Sequence, residues 1–171
     1  MSVQSDDLIR EVRIEATPQD VFPYFTDPGK LVLWKAVAAQ SDARPGGRFR
    51  LDITGRGDVA WGEYLEIDPP HRLTFTWHWE NELADGQPPL APSVVEVTLT
   101  PDGTGTLLRL VHRGVPRANR DGSAAGWTHY LARLARVAAG HDPGPDPWAR
   151  ESASTSDPAT PRRINDGHST Q

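Results

Sequence analysis

Large apolar side chains alternate with polar ones along much of the chain, most plainly in LTFTWHW at 73–79. There Leu73, Phe75, Trp77 and Trp79 interleave with Thr74, Thr76 and His78. Successive side chains of a strand point to opposite faces, so the pattern predicts a strand with one wholly apolar face that ends in two indoles. The same period predicts strands over 8–15, 36–43 and 59–67, and over RFRLDIT at 48–54 with Phe49, Leu51 and Ile53 on one face. VVEVTLT at 94–100 groups Val95, Val97 and Leu99, and TLLRLVH at 106–112 groups Thr106, Leu108, Leu110 and His112. Turn residues punctuate the series at RPGG (44–47), GRGD (55–58), DPPH (68–71) and PDGTG (101–105), the last a strong hairpin signal. A loop, ENELADGQPPLAPS at 80–93, separates two of the strands.

Helical spacing replaces this alternation in three places. Thr17 is a good N-cap with Pro18 behind it and Asp20 in the first turn, which predicts a short helix ending near Phe25, made irregular by Pro23. Asp27 and Pro28 start a second short helix that reaches about Trp34. A long helix is predicted over 121–139, where Trp127, Tyr130, Leu131, Leu134 and Ala138 form one apolar stripe. Arg133 and Arg136 fall in its later turns, where they suit the helix dipole. The fold class is therefore α+β: a curved antiparallel sheet of six or seven strands wrapped around a long C-terminal helix, with two short helices after the first strand. One helix cannot fill a long curved sheet everywhere, so a cavity is expected between them.

Composition changes at Gly140. Residues 141–171 are rich in Pro, Ser, Asp and Thr, with Trp148 and Ile164 as the large apolar residues. Such a stretch cannot bury enough apolar surface to offset its ordering entropy, which predicts a domain over 1–140 and a flexible tail over 141–171. Trp148 is expected to be solvated, with local docking as the alternative. The net charge of -5 lacks the basic surplus of a nucleic-acid binder. There is no cysteine for disulfide or thiolate chemistry. No run approaches the roughly 18 apolar residues of a membrane span, and MSVQSDDLIREVRIEA shows no export signal, so a cytoplasmic location is expected.

Several segments together carry a resemblance. They are IEATPQDVFPYFTDPGKLVLW, DARPGGRFR at 42–50, WGEYLEIDPPHRLTFTW at 61–77, TLTPDGTGTLLRLVHRG at 98–114 and GWTHYLARL at 126–134. In order and spacing the chain, over about 7–139, resembles the START-like helix-grip (SRPBCC, polyketide cyclase/lipid-transport) superfamily. Its branch is similar to the C-terminal domain of the activator of heat-shock chaperone ATPase. The resemblance implies an internal cavity between sheet and long helix that accepts an apolar or aromatic molecule. It also implies that the position of His112 often carries histidine. The superfamily spans lipid carriers, cyclases, hydrolytic relatives, hormone receptors and co-chaperone modules, so function must be read from the site.

The expected ligand-binding residues are Trp34, Trp61, Phe75, Trp77, Trp79, Leu110, His112, Trp127, Tyr130 and Leu131. Each aromatic has core packing as its alternative role. A buried indole N–H needs a partner, which a ligand or water in a half-filled cavity would supply. Trp34 is expected at the cavity mouth, with a surface cap over the sheet edge, rather than core packing, as its alternative. His112 should point inward, either as a core histidine bonded to a carbonyl or a tryptophan, or as a ligand-orienting donor or acid/base group. His112, Glu63 and Tyr64 are the candidate catalytic groups. Glu63 shares a face with Trp61 and Leu65, lining the cavity or lying near the sheet edge. His78 is expected on the solvated face, His129 on the polar side of the long helix, and Glu96 paired with Arg109 across the hairpin. No HExxH, helical His pair, GxSxG or phosphate loop occurs, so neither metal nor cofactor is expected. The favoured function is binding of a small hydrophobic or aromatic ligand. The alternatives are cyclase/aromatase- or hydrolase-type catalysis in the same cavity, and a stress-related or co-chaperone-like interaction module. Exposed edge strands allow a homodimer.

Overall fold

The computed structural model describes residues 7–80 and 93–149 of the 171. Strand β1 (Leu8–Ile14) is followed by helices α1 (Pro18–Val21) and α2 (Pro28–Trp34). Six strands follow: β2 (Ala38–Ser41), β3 (Arg48–Asp52), β4 (Val59–Asp68), β5 (Arg72–Trp79), β6 (Ser93–Asp102) and β7 (Gly105–Arg113). Helix α3 (Arg120–Ala138) comes last. The strands form one antiparallel sheet in the order β1-β7-β6-β5-β4-β3-β2. Strands β2 to β7 make the expected meander, and β1 closes it by pairing with β7. The α+β helix-grip architecture read from the sequence is the one observed. The predicted loop at 80–93 falls outside the described residues except at its two ends.

Local chemistry sets the helix starts. The Thr17 hydroxyl accepts from the Asp20 N–H at 3.3 Å, and the Asp27 carboxylate accepts from the Gly29 N–H at 2.9 Å. The first helix keeps one α-helical turn and then tightens into a 3₁₀ turn over Phe22–Phe25, because Pro23 has no N–H to continue the ladder. On the sheet, Leu73, Phe75, Trp77, Val95, Val97, Leu99, Leu108 and Leu110 face inward. Trp127, Tyr130, Leu131 and Leu134 of α3 meet them, and all are buried.

Strand β4 departs from the expected pattern. Its inward residues are Ala60, Gly62 and Tyr64, so Trp61 and Glu63 lie on the outer face and Leu65 is 48 % exposed. The inward position 62 is a glycine because the Thr76 carbonyl oxygen and the Phe49 ring occupy the space a side chain would need. An irregularity between Tyr64 and Glu66 then shifts the phase, and Ile67 returns to the core side opposite Leu73. His78, expected in solvent, is buried on the outer face because the Trp61 indole stacks on it at 4.3 Å. Glu96 accepts from Arg72 at 3.0 Å and Arg113 at 3.2 Å, while Arg109 reaches Glu11 at 3.6 Å. The expected Glu96–Arg109 pair does not form because the register sets Glu96 against Val111 and Arg109 against Thr98. Such exposed pairs contribute about 0–1 kcal/mol.

Candidate functional site

Among the described residues, an inner and an outer space open between the sheet and the helices. The inner one has a volume of only about 20 Å³ and is lined by Phe25, Leu31, Trp34, Phe49, Tyr64, Phe75 and neighbours. That is room for about one water, so the deep interior is filled core. The roomy space lies further out, between the first half of α3 and the β3–β4 turn. It is a cleft of about 410 Å³, within the range of small-molecule sites. Trp77, Trp79, Trp127, Tyr130 and Trp148 form its walls, and Lys35, Thr54, Asp58, His112, Asn119 and Ser123 supply its polar atoms. The cavity expected between sheet and helix is thus displaced toward the helix N-terminus.

Of the residues singled out in the sequence, Trp77, Trp79, His112, Trp127 and Tyr130 meet at this cleft. Trp79 stands edge-on to Trp77 at 5.6 Å, and Trp77 tilts against Trp127 at 5.4 Å. Phe75, Trp34 and Tyr64 line the small inner space instead, and Leu110 and Leu131 are core. Trp34 is buried rather than at the mouth: its N–H donates to the Tyr24 carbonyl at 2.9 Å and its ring packs edge-on against Phe25. The Tyr64 hydroxyl donates to the Phe25 carbonyl at 3.2 Å and lies 2.8 Å from the Ser41 hydroxyl. Burial raises its pKa, which keeps it neutral. Trp61 and Glu63 face away from the cleft.

His112 is held by a relay of hydrogen bonds. Its Nδ1 accepts from the Trp127 indole N–H at 3.0 Å, and its Nε2 lies 2.9 Å from the Ser93 hydroxyl. That hydroxyl donates to the Trp77 carbonyl at 2.7 Å, so the Nε2–H must be the donor to Ser93. Both ring nitrogens are therefore occupied. Burial, and then the charge of Lys35, push the imidazole pKa down to about 4, so the ring is neutral near pH 7. His112 ties the helix to the sheet through Trp127 and has no proton or lone pair left for a substrate.

Lys35 is the residue that sequence reasoning missed. It caps α2, is 5 % exposed, and lines both spaces. Its Nζ stands 4.3 Å from the Tyr130 ring centre, 4.4 Å from Trp127 and 5.1 Å from Trp77. No carboxylate is within ion-pair distance of it among the described residues. Burial, opposed only by the more distant Asp146, pulls its pKa from 10.5 to about 7.

The start of the expected tail also belongs here. Gly140 stops α3 with φ +89°, and residues 141–149 run back beside the helix. The Arg133 guanidinium holds this return by donating to the carbonyls of Gly144 at 3.1 Å and Pro143 at 3.4 Å. Asp146 accepts from His129 at 2.7 Å and from the Tyr130 hydroxyl at 2.9 Å. Burial opposes its ionisation, but hydrogen bonds from the Trp148 backbone, His129 and Tyr130 outweigh this and hold the carboxyl below its ordinary value. Trp148 stacks on His129 at 4.0 Å while staying 42 % exposed, so it is docked on one face and solvated on the other. Residues 150–171 lie outside the described residues.

Asp146→Ala is expected to cost about 1–2 kcal/mol and to free residues 141–149 from α3. Hydrogen exchange of that segment should accelerate at neutral pH. Acid should mimic the substitution in the wild type, because this carboxylate's contribution is present above its unfolded pKa and lost as pH falls through the lowered folded value. Unchanged exchange in the variant would mean that Asp146 does not hold the segment.

Among the described residues, no group of three or more His, Asp and Glu is placed to hold a metal ion. No helix among them is long and apolar enough to cross a membrane.

The fold and sequence have known counterparts. An AHSA1-like protein of Rhizobium etli, solved in solution, is 41% identical, with 87% of this chain and 91% of that chain covered and a TM-score of 0.65. CalU16 of Micromonospora echinospora is 31% identical, with coverage of 78% and 76% and a TM-score of 0.63. An uncharacterized protein of Schizosaccharomyces pombe is 26% identical over 116 residues, 67% of this chain, and the chain spans about a third of that relative's length (31%). The family model described as "Activator of Hsp90 ATPase homolog 1-like protein" matches residues 15–139. With the helix-grip architecture, this match means that the chain belongs to the Activator of Hsp90 ATPase homolog 1-like family of the SRPBCC superfamily.

Proposed function

We propose that the protein binds a small hydrophobic or aromatic molecule in the cleft over Trp77 and Trp127. One observation carries this reading. Gly122 and Gly126 sit one helical turn apart on the cleft side of α3, and a Cβ built at either meets nothing within 4 Å. Helix-interior glycine costs about 1 kcal/mol relative to alanine, and here no close contact demands it. Its effect is to leave open space in front of four aromatic rings. Large apolar walls with a few polar atoms are what a small aromatic ligand needs. The catalytic alternative has less support, since Glu63 faces away, Tyr64 lies across the core and His112 has no free ring nitrogen. Chaperone activation rests on the family's description alone.

The test is a tryptophan-fluorescence titration with a panel of two- and three-ring aromatics on wild type, Trp77→Phe and Gly126→Leu. A saturable change is expected in the wild type. Leucine at 126 projects into the cleft and should weaken binding at least about tenfold, with thermal stability unchanged or slightly higher because a glycine leaves the helix. Equal affinity for the wild type and Gly126→Leu would sink the reading.

A further inference from the structure

The charges around the cleft do not balance. Asp58 accepts a hydrogen bond from the Thr54 hydroxyl, and Asp146 is held by His129, Tyr130 and the Trp148 N–H. The carboxylates thus have donors. Among the described residues that line the cleft Lys35 is the one cation, and it has three ring faces and no described carboxylate at ion-pair distance. A buried cation without a counter-ion is unfavourable, and ring faces compensate only in part.

We propose that the molecule bound in the cleft is an aromatic carboxylate, its rings between Trp77, Trp79, Trp127 and Tyr130 and its carboxylate paired with the Lys35 ammonium. This rests on the reading of the cleft as a ligand site and adds the charge of the ligand. The other groups that face Lys35 do not compete for the anion or supply one. His112 from β7 is neutral and fully bonded, and Tyr130 from α3, with its pKa raised by burial and by Asp146, remains a phenol. Asp58 and Asp146, from the β3–β4 turn and the segment after α3, already hold donors and would repel an anion placed beside them. The carboxylate therefore seats on the Lys35 side of the cleft. The volume of about 410 Å³ has room for a molecule of two or three rings.

The identity of the base is informative. Lys30 and Lys35 are the chain's two lysines, and the other sixteen of its 18 basic residues are arginine. Arginine stays charged and demands its bidentate partner at all times. A lysine held near pKa 7 can shed its proton in the empty cleft and regain it beside a carboxylate. Binding should then take up protons.

Calorimetry with 2-naphthoate and the neutral 2-naphthamide, on wild type and Lys35→Met, tests this. At pH 7.5 the wild type should bind the carboxylate at least about tenfold tighter than the amide, and the difference should shrink as pH rises to 9.5. Repeating the titration in two buffers of different ionisation enthalpy should show uptake of part of a proton with naphthoate. In Lys35→Met the two probes should bind within about twofold of each other, with no proton uptake. Near-equal binding of the two by wild type, or a carboxylate preference that survives in Lys35→Met, overturns the proposal and leaves the cleft reading standing. If neither probe binds the wild type, both fall. The amide titration of Lys35→Met shows separately that the variant keeps its cleft.

Discussion

Methionine at position 35 is expected to stabilise the protein, and by more at pH 6.5 than at pH 9.5. The folded lysine releases its proton near pH 7, the unfolded one near 10.5. Below pH 7 both states hold the proton and the full burial penalty is present. Between the two values the unfolded chain binds more protons, so stability rises with pH as the penalty is relieved. A displacement of this size corresponds to roughly 4–5 kcal/mol. Three ring faces return up to about 2 kcal/mol of it as cation–π attraction. The net gain expected from Lys35→Met at pH 6.5 is therefore about 2–3 kcal/mol, or roughly 5–10 °C in melting temperature. Methionine matches the length of the lysine stem, and its sulfur packs well against aromatic rings. At pH 9.5, one unit below the unfolded value, the gain should fall to about 1–1.5 kcal/mol. Urea unfolding of both proteins at the two pH values measures it. A variant less stable than wild type at pH 6.5 would show that Lys35 is a net structural asset and that the burial argument fails. The expected trade is the familiar one, in which a site prepared for a ligand weakens the empty fold.

Gly62→Ala should do the opposite and do it severely. A Cβ at this position would lie 1.9 Å from the Thr76 carbonyl oxygen and 2.6 Å and 2.8 Å from two atoms of the Phe49 ring. The ring could turn aside, but the carbonyl belongs to the neighbouring strand and cannot. The whole β4–β5 pairing must open to admit one methyl group, at about 3–5 kcal/mol, beyond ordinary overpacking. Thermal unfolding should fall by more than about 10 °C or cooperative folding should be lost. Gly122→Ala, with open space around its new methyl, is the control and should gain up to about 1 kcal/mol. Adding Phe49→Leu should relieve only a small part of the Gly62→Ala loss. A mild effect at position 62 would mean that β4 can shift away from β5 at little cost.

These two glycine classes also show where the sequence was legible. On β5, β6 and β7 the large apolar residues occupy the inward positions, so size and period agree and the faces read correctly. On β4 they conflict. The large residues Trp61 and Leu65 share the outward phase, while the inward phase holds Ala60 and Gly62, made small by the Phe49 ring. Period alone gives two possible faces, and side-chain size selected the wrong one. His78 followed the same error, because its cover is Trp61. The aromatic set Trp77, Trp79, Trp127 and Tyr130 was legible as facing residues, but the position of the opening was not. A cleft is made of atoms that are missing, and glycines in a helix leave no periodic mark. Lys35 was hidden for another reason: a lysine just past the C-terminal end of a helix is the ordinary complement to its dipole. What set it apart, an amine between Trp34 and Ala36 in a chain that otherwise prefers arginine, becomes meaningful only once three rings are seen to surround it. Trp148 stood alone in a polar, proline-rich stretch, and nothing local foretold that His129 would supply its stacking face.

The pairing of β1 with β7 has a consequence during synthesis. Leu8 and its register partner His112 stand about a hundred residues apart, and so do the strands' neighbouring pairs. At about 5–20 residues per second the first strand leaves the ribosome some 5–20 seconds before its partner is made. Throughout that time Leu8 and Ile14, both fully interior in the finished molecule, have no sheet to join. The meander from β2 to β7 can assemble stepwise as it emerges, one hairpin after another. Strand β1 must wait unpaired and dock last, on β7, near the time that α3 arrives to cover the core. The newborn chain is therefore most exposed to aggregation through the β7 side of the growing sheet, the edge that β1 covers in the finished molecule.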